Sequence, residues 1–285
     1  MAGITQFFGL DTSLPEDDRV LPVTRWLGRV IIPILAVAFA ILFIVPDRTE
    51  EFFAWTIQPD MTPIFMGAGY GTGAYFFYRV ATVDEFHRVS HVFPGITAFV
   101  WFMGVATFLH WENFNHDHVS FLAWTFLYVV SPVLVPAIWI LNRRTDPKVL
   151  GPDIVRIPRV IRGISGVTGI ALTVASLALF IEPQPLIDHW PWAVSPLTSR
   201  VLLGWFVLFG LTNLFVAIDE RWAAARIVAE TQLIAFGLFI IGAFRAWDDF
   251  DTANPVTWVF LAGFLLYLIA LAVVYYAMET GRIRG

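Results

Sequence analysis

Residues 55–73 read WTIQPDMTPIFMGAGYGTG, and residues 192–210 read WAVSPLTSRVLLGWFVLFG. Trp55, Ile57, Pro59, Thr62, Gly67 and Gly73 fall on Trp192, Val194, Pro196, Ser199, Gly204 and Gly210, always 137 positions apart. Further on, Phe108, Trp111, Glu112 and Phe114 fall on Phe244, Trp247, Asp248 and Phe250 at an offset of 136, and Trp139 falls on Tyr275 at the same offset. A single one-residue gap accounts for the change. Chance does not hold one register from Trp55 to Trp139, so the chain reads as two copies of one unit.

Hydropathy says what the unit is. The 285 residues are 58% hydrophobic and only 14% charged, with 27 Phe and 12 Trp, and the mean hydropathy is +0.70. A soluble domain carries about 25% charged residues. Apolar runs at 26–45, 63–80, 92–109, 119–141, 163–181, 196–218, 227–244 and 256–276 each approach the ~20 residues that a bilayer core demands. The expectation is an all-α polytopic membrane protein with about eight transmembrane helices, arranged as two parallel four-helix repeats. Four helices per repeat is an even number, so both copies insert the same way up and their axis runs along the membrane normal. The expected parts are an N-terminal segment 1–25, a first unit 26–141, a basic linker 142–160, a second unit 161–278 and a tail 279–285. The polar, acidic start of the chain is not a cleavable signal.

Of the 18 Lys and Arg residues, only Arg48, Arg200 and Arg245 fall at one end of the expected helices; the rest fall at the other. By the positive-inside rule, both termini are cytoplasmic and the protein sits in the plasma (inner) membrane. The absence of cysteine excludes disulfides, thiolate metal sites and thiol catalysis.

The stretch HWENFNHDH, 110–118, then lies outside. His110, Glu112, His116 and His118 are ligand types suited to zinc or copper. Their spacing matches no familiar motif, and the second copy replaces the imidazoles with Ala246, Thr252 and Asn254, so a solvated loop without cofactor is the preferred reading. His87 and His91, spaced i, i+4, read as headgroup-level residues. Glu230, near one end of a helix, is a candidate for a proton or ligand role. Arg200 and Arg245 stand amid Asp188, Asp248, Asp249 and Asp251, which suggests surface pairing or an anion site. Asn213, with Thr212, is the polar mid-span candidate.

Small residues line the faces Gly67/Gly71, Gly69/Gly73 and Gly166/Gly169/Thr173, which suit close helix contacts, with a protein partner or a second copy. They are not a nucleotide loop, and no nucleic acid is expected as partner. Pro132 and Pro136 should bend a helix that their second-copy counterparts Leu268 and Ala272 leave straight, which gives room for a pocket there, though bulk packing explains them as well.

WPWAVSPLTSR, 190–200, resembles the W-P-W-x-(L/V)-(S/T)-P-L-T-x-R segment of uncharacterised multi-pass bacterial membrane proteins, over about residues 190–250. The resemblance implies no activity. Three functions stay open: a non-catalytic membrane component that binds lipid or a partner subunit, a small-molecule transporter, and a membrane enzyme with an outer metal site.

Overall fold

The computed structural model describes residues 17–148 and 155–281. Parts of the expected N-terminal segment, linker and tail, with Arg282 and Arg284, lie outside them. The described residues are helical and form no sheet; two isolated backbone bridges, Arg19 to Glu85 and Arg156 to Arg221, join loops.

Eight long helices carry the fold: α1 Pro22–Phe39, extended by a π turn Ala40–Ile44; α2 Met61–Thr82; α3 Val92–Leu109; α4 Val119–Asn142; α5 Arg159–Ile181; α6 Pro196–Ile218; α7 Trp222–Arg245; and α8 Pro255–Glu279. Seven of them are long and apolar enough to cross a membrane. The other is α2. It has 22 residues, but its glycines, tyrosines and threonines lower its hydropathy.

Several helix ends begin earlier than the apolar runs indicate. α1 starts at Pro22 rather than at residue 26, because proline suits the first turn, where no N–H is needed. α7 starts at Trp222 rather than 227. The added stretches, 22–25 and 222–226, each end on an arginine, and an apolar run stops short of it. Side chains cap three starts: Ser195 forms a capping box with Thr198 on α6, His118 accepts from the Ser120 N–H on α4, and Asn254 accepts from the Val256 N–H on α8.

α1 packs on α2, and α5 on α6; α3 packs on α4, and α7 on α8. The two groups join where α2 meets α7 and α6 meets α3. This places α2, α3, α6 and α7 inside. The outer helices are open to lipid: 6% of the α8 span is buried, against 56% of α6. Such exposed apolar faces are stable only in hydrocarbon, where helices satisfy their own backbone groups.

The small-residue faces are used within the chain. A Cβ on Gly169 of α5 would lie 2.8 Å from the Gly210 carbonyl of α6, and one on Gly210 would lie 2.5 Å from the Thr173 hydroxyl. On α2, Gly67 and Gly71 face Phe43 and Phe39 of α1, whereas Gly69 faces Trp205 of α6. α4 runs without a break through both prolines. Pro132 has no N–H for the Tyr128 carbonyl, and that carbonyl points to Gly104 of α3, where a Cβ would lie 2.9 Å away.

Trp55 and Trp192, which belt preference would place at the lipid interface, are both buried. Trp55 packs on Phe53, Phe114 and Trp124; Trp192 packs on Trp190, Phe250 and Phe260. The surrounding backbone closes the same way in both places. The Asn115 N–H donates to the Ala54 carbonyl at 2.9 Å, and the Asp251 N–H to the Pro191 carbonyl at 2.8 Å. This is the tryptophan end of the molecule. The opposite, charged end holds most of the ion pairs.

Candidate functional site

Between the helices lies a largely apolar chamber of about 110 Å³. α1 supplies Leu27, Ile31 and Leu35, and α4 supplies Leu127, Tyr128, Ser131 and Val135. The inner helices contribute Tyr70, Thr72, Phe99, Trp205, Thr212 and Gln232 among others. The Tyr70 and Tyr128 hydroxyls meet at 2.9 Å. The chamber lies against the stretch of α4 that contains the two prolines. Four of its lining residues also carry a polar atom that is buried away from the open space and has no hydrogen-bond partner: Thr72 Oγ1, Trp205 Nε1, Thr212 Oγ1 and Gln232 Nε2. The Gln232 carbonyl is engaged, accepting from the Tyr267 hydroxyl at 2.5 Å.

Asn213 is buried beside Thr212 but does not line the chamber. Its amide donates to the Phe209 carbonyl one turn earlier at 2.9 Å, so it satisfies its own helix.

Glu230 sits toward the charged end of α7. Arg79 pairs with it, the Tyr75 hydroxyl donates at 2.7 Å and the Tyr275 hydroxyl at 3.1 Å; Arg226 lies 3.4 Å away. It ties α2, α7 and α8 together.

The histidine-rich loop separates its imidazoles. Arg200 donates to His110 Nε2 at 2.9 Å. Burial and the Arg200 charge both lower the His110 pKa. His116 Nε2 donates to the Trp111 carbonyl at 3.0 Å, and its ring lies against Trp111 and Phe121. His118 accepts at Nδ1 as the α4 cap and reaches the Glu51 carbonyl with Nε2 at 2.9 Å. Glu112 is exposed. Among the described residues, no group of three or more His, Asp or Glu side chains is placed to hold a metal ion.

Arg200 and Arg245 do not form the expected aspartate pairs; no such pair occurs among the described residues. Each caps a helix. Arg245 donates to the Phe43 carbonyl and, at 3.2 Å, to that of Ile44, where the π turn ends α1. Arg200 donates to the Phe180 carbonyl at the end of α5 at 3.0 Å. Helix ends expose unpaired carbonyls, and an arginine fork serves them well.

Sequence reasoning missed a second polar network at the charged end. Arg221 makes two-pronged contacts to Asp146, at 3.0 and 2.9 Å, and also pairs with Asp219 at 2.7 Å. His91, buried, faces Asp219 Oδ2 at 3.1 Å with Nε2 and the Ala224 carbonyl at 3.2 Å with Nδ1. Burial would raise the Asp219 pKa, but hydrogen bonds from His91 and Arg221 outweigh it and hold the carboxyl well below its usual range. His87 pairs separately with Asp18. Nearby, Asn142 receives the Leu21 N–H at 2.9 Å and the Thr24 hydroxyl at 2.6 Å, and donates to the Arg19 carbonyl at 2.9 Å. Among the described residues, Arg19 and Leu21 before or at the start of α1 are thus tied to Asn142 and Thr145 at the end of α4. These partners lie far apart in sequence, so no local pattern signals them.

Searches of protein-family models, of curated proteins and of solved structures find no match to this chain.

Proposed function

We propose that this chain is a non-catalytic integral membrane protein that holds a lipophilic molecule in its central chamber. The observation that carries the reading is the chamber itself, apolar over most of its wall and set among helices whose outer faces suit lipid. Binding pockets for small molecules have this character: apolar walls with a few placed polar groups.

In this reading α2 crosses the membrane with the other seven, and the chain consists of two parallel four-helix repeats. The contacts at the tryptophan end support this. Phe53, Trp55, Phe114 and Trp124 correspond in register to Trp190, Trp192, Phe250 and Phe260, and the rings meet in the same pairs. The charged end faces the cytoplasm, with both termini, in the plasma membrane. Absence of native cysteine makes the orientation easy to test. Asn115→Cys and Thr252→Cys react with an impermeant maleimide on intact cells, whereas Glu85→Cys reacts only after lysis. The reverse pattern inverts the assignment.

Native mass spectrometry of protein purified in mild detergent tests the binding reading. One equivalent of a lipophilic molecule stays bound to the wild type. It is lost in Ser131→Phe, which fills the chamber, provided that this variant keeps wild-type helicity and elution. Protein that carries no lipophilic molecule, and takes up none when offered membrane extract, sinks the reading.

A further inference from the structure

A second apolar hollow lies between α5 and α8, on the lipid side of α6. Its volume is about 260 Å³, against about 110 Å³ for the chamber. Its walls fall in the register of the two sequence copies. Thr168 and Leu172 of α5 stand 137 positions after Ile31 and Leu35 of α1, and Phe206 of α6 stands as far after Gly69 of α2. Gly263, Phe264 and Tyr267 of α8 stand 136 positions after Leu127, Tyr128 and Ser131 of α4. All six of the earlier residues line the chamber. The hollow is therefore the chamber's counterpart in the second copy. Contacts at the charged end keep the same register. Arg25 pairs with Asp84 at 3.0 Å and Arg162 with Glu220 at 2.9 Å, and the bridges Arg19–Glu85 and Arg156–Arg221 correspond likewise.

The two hollows differ in what closes them. The α1 and α4 spans are 28% and 39% buried, whereas the α5 and α8 spans are 11% and 6% buried. Gly263 stands in the place of Leu127, and a Cβ there would meet nothing within 4 Å. The second hollow is thus a groove open to hydrocarbon. The bilayer core has no water to fill it, and an empty groove forfeits dispersion contacts along its lining. Among the described residues, no charged side chain lines it. Apart from Thr168, its polar side chains bond within the protein: Asn213 donates to the Phe209 carbonyl at 2.9 Å, and Tyr267 to the Gln232 side-chain carbonyl at 2.5 Å. The occupant is therefore apolar over this stretch.

Size decides between a chain and a helix. From Val259 to Tyr267 the groove runs about 12 Å along α8. Spread over that length, its volume gives a section on the order of 20 Å², far below the roughly 80 Å² of a helix about 10 Å across. Val259 lies in the second turn of α8, so the groove reaches toward the tryptophan end.

We propose that the groove between α5 and α8 holds one acyl chain of a phospholipid from the leaflet at the tryptophan end, a second lipophilic site at the place where the first copy has its chamber. The proposal rests on the membrane-embedded, two-repeat reading above, and the test separates the two.

Protein freed of lipid by detergent exchange is titrated with dioleoylphosphatidylglycerol and, separately, with dioleoylphosphatidylcholine. Bound phospholipid is counted by native mass spectrometry. One equivalent is expected from either, with the same affinity, because the chain and not the headgroup is recognised. It should persist in Ser131→Phe, which fills the chamber, and be lost in Gly263→Trp, which fills the groove. If Gly263→Trp does not keep wild-type helicity, Gly263→Leu, which supplies the residue of the first copy, takes its place and should weaken binding at least about tenfold.

Wild-type phospholipid affinity in the folded Gly263 variant would overturn the groove as the site. Loss of the phospholipid in Ser131→Phe would assign it to the chamber instead. A preference of more than about tenfold for one headgroup would overturn recognition by the chain. A dimer that the Gly263 variant dissociates would mean that a second copy covers the groove. No phospholipid binding while the chamber keeps its own occupant would defeat this proposal alone; a protein with neither would defeat the reading beneath it as well.

Discussion

Arg245 holds its guanidinium carbon 5.3 Å from the centre of the Phe43 ring and donates to the carbonyl of that same residue. Arg200 does the same to Phe180, at 5.8 Å from the ring. Phe43 and Phe180 are 137 positions apart, in the register of the two sequence copies. The arginines are not: Arg245 comes from the end of α7 and Arg200 from the first turns of α6. The same helix-end problem is solved twice from different places. Removing the fork leaves carbonyls of α1 unpaired beside lipid. Arg245→Met should lower stability by about 1–2 kcal/mol, read as a drop in melting temperature in detergent. Arg245→Lys should recover only part, because one ammonium cannot serve both the Phe43 and Ile44 carbonyls in the same geometry. Full recovery by lysine would refute the capping role.

The α5–α6 contact depends on two glycines that meet each other's backbone. Gly169→Ala places a methyl 2.8 Å from the Gly210 carbonyl, which cannot rotate away. The helices must separate, at a cost of about 1–3 kcal/mol. Gly163→Ala and Gly263→Ala, where a Cβ meets open space, should be neutral or stabilising through helix propensity. Equal effects at all three positions, measured by thermal unfolding, would rule out close packing as the reason for Gly169.

The charged-end network makes a prediction in pH. The carboxyls of Asp219 and Asp146 have depressed pKa values in the folded protein, because hydrogen bonds to them outweigh the effect of burial. A depressed carboxyl adds stability that is complete above its ordinary pKa of 3.8 and is lost as pH falls through the folded value. Melting temperature should therefore be insensitive to these two groups from about pH 8 to 5 and fall below about pH 4. Asp219→Asn should flatten that acidic limb while lowering stability at neutral pH. Arg221→Met should be the most damaging change, by about 3–5 kcal/mol, since it leaves Asp146 without its ion-pair partner and Asp219 with His91 alone. An acid limb that is the same in wild type and Asp219→Asn would remove the network from the explanation.

The apolar runs reveal most helix positions, and 92–109 and 196–218 match α3 and α6 residue for residue. That success has a plain cause: the bilayer sets helix length, and hydropathy measures the same transfer. The failures share a cause too. Arg200 and Arg245 stand near aspartates in sequence, yet bind carbonyls on other helices. The Asp146–Arg221–Asp219–His91 network joins three parts of the chain. The chamber is legible only as a hint, through the two prolines of α4. Contacts between distant segments leave no periodicity to read.

The loop HWENFNHDH supports a last prediction. Each imidazole of the sequence candidate already has a separate task. His110 receives a hydrogen bond from Arg200 at Nε2, beside a fixed positive charge that opposes a second cation. His118 spends Nδ1 on the α4 cap and Nε2 on the Glu51 carbonyl. His116 is exposed and stacks on Trp111. Binding zinc or copper would require ligands to converge at about 2.0–2.2 Å, which breaks the cap and the loop tie together. Elemental analysis of untagged protein should therefore find no stoichiometric zinc or copper. His118→Ala should cost about 1 kcal/mol, whereas His118→Asn, the residue that caps α8 as Asn254, should cost less. One equivalent of metal, lost when His110, His116 and His118 are replaced together, would overturn the assignment and restore the metal-dependent enzyme as the leading reading.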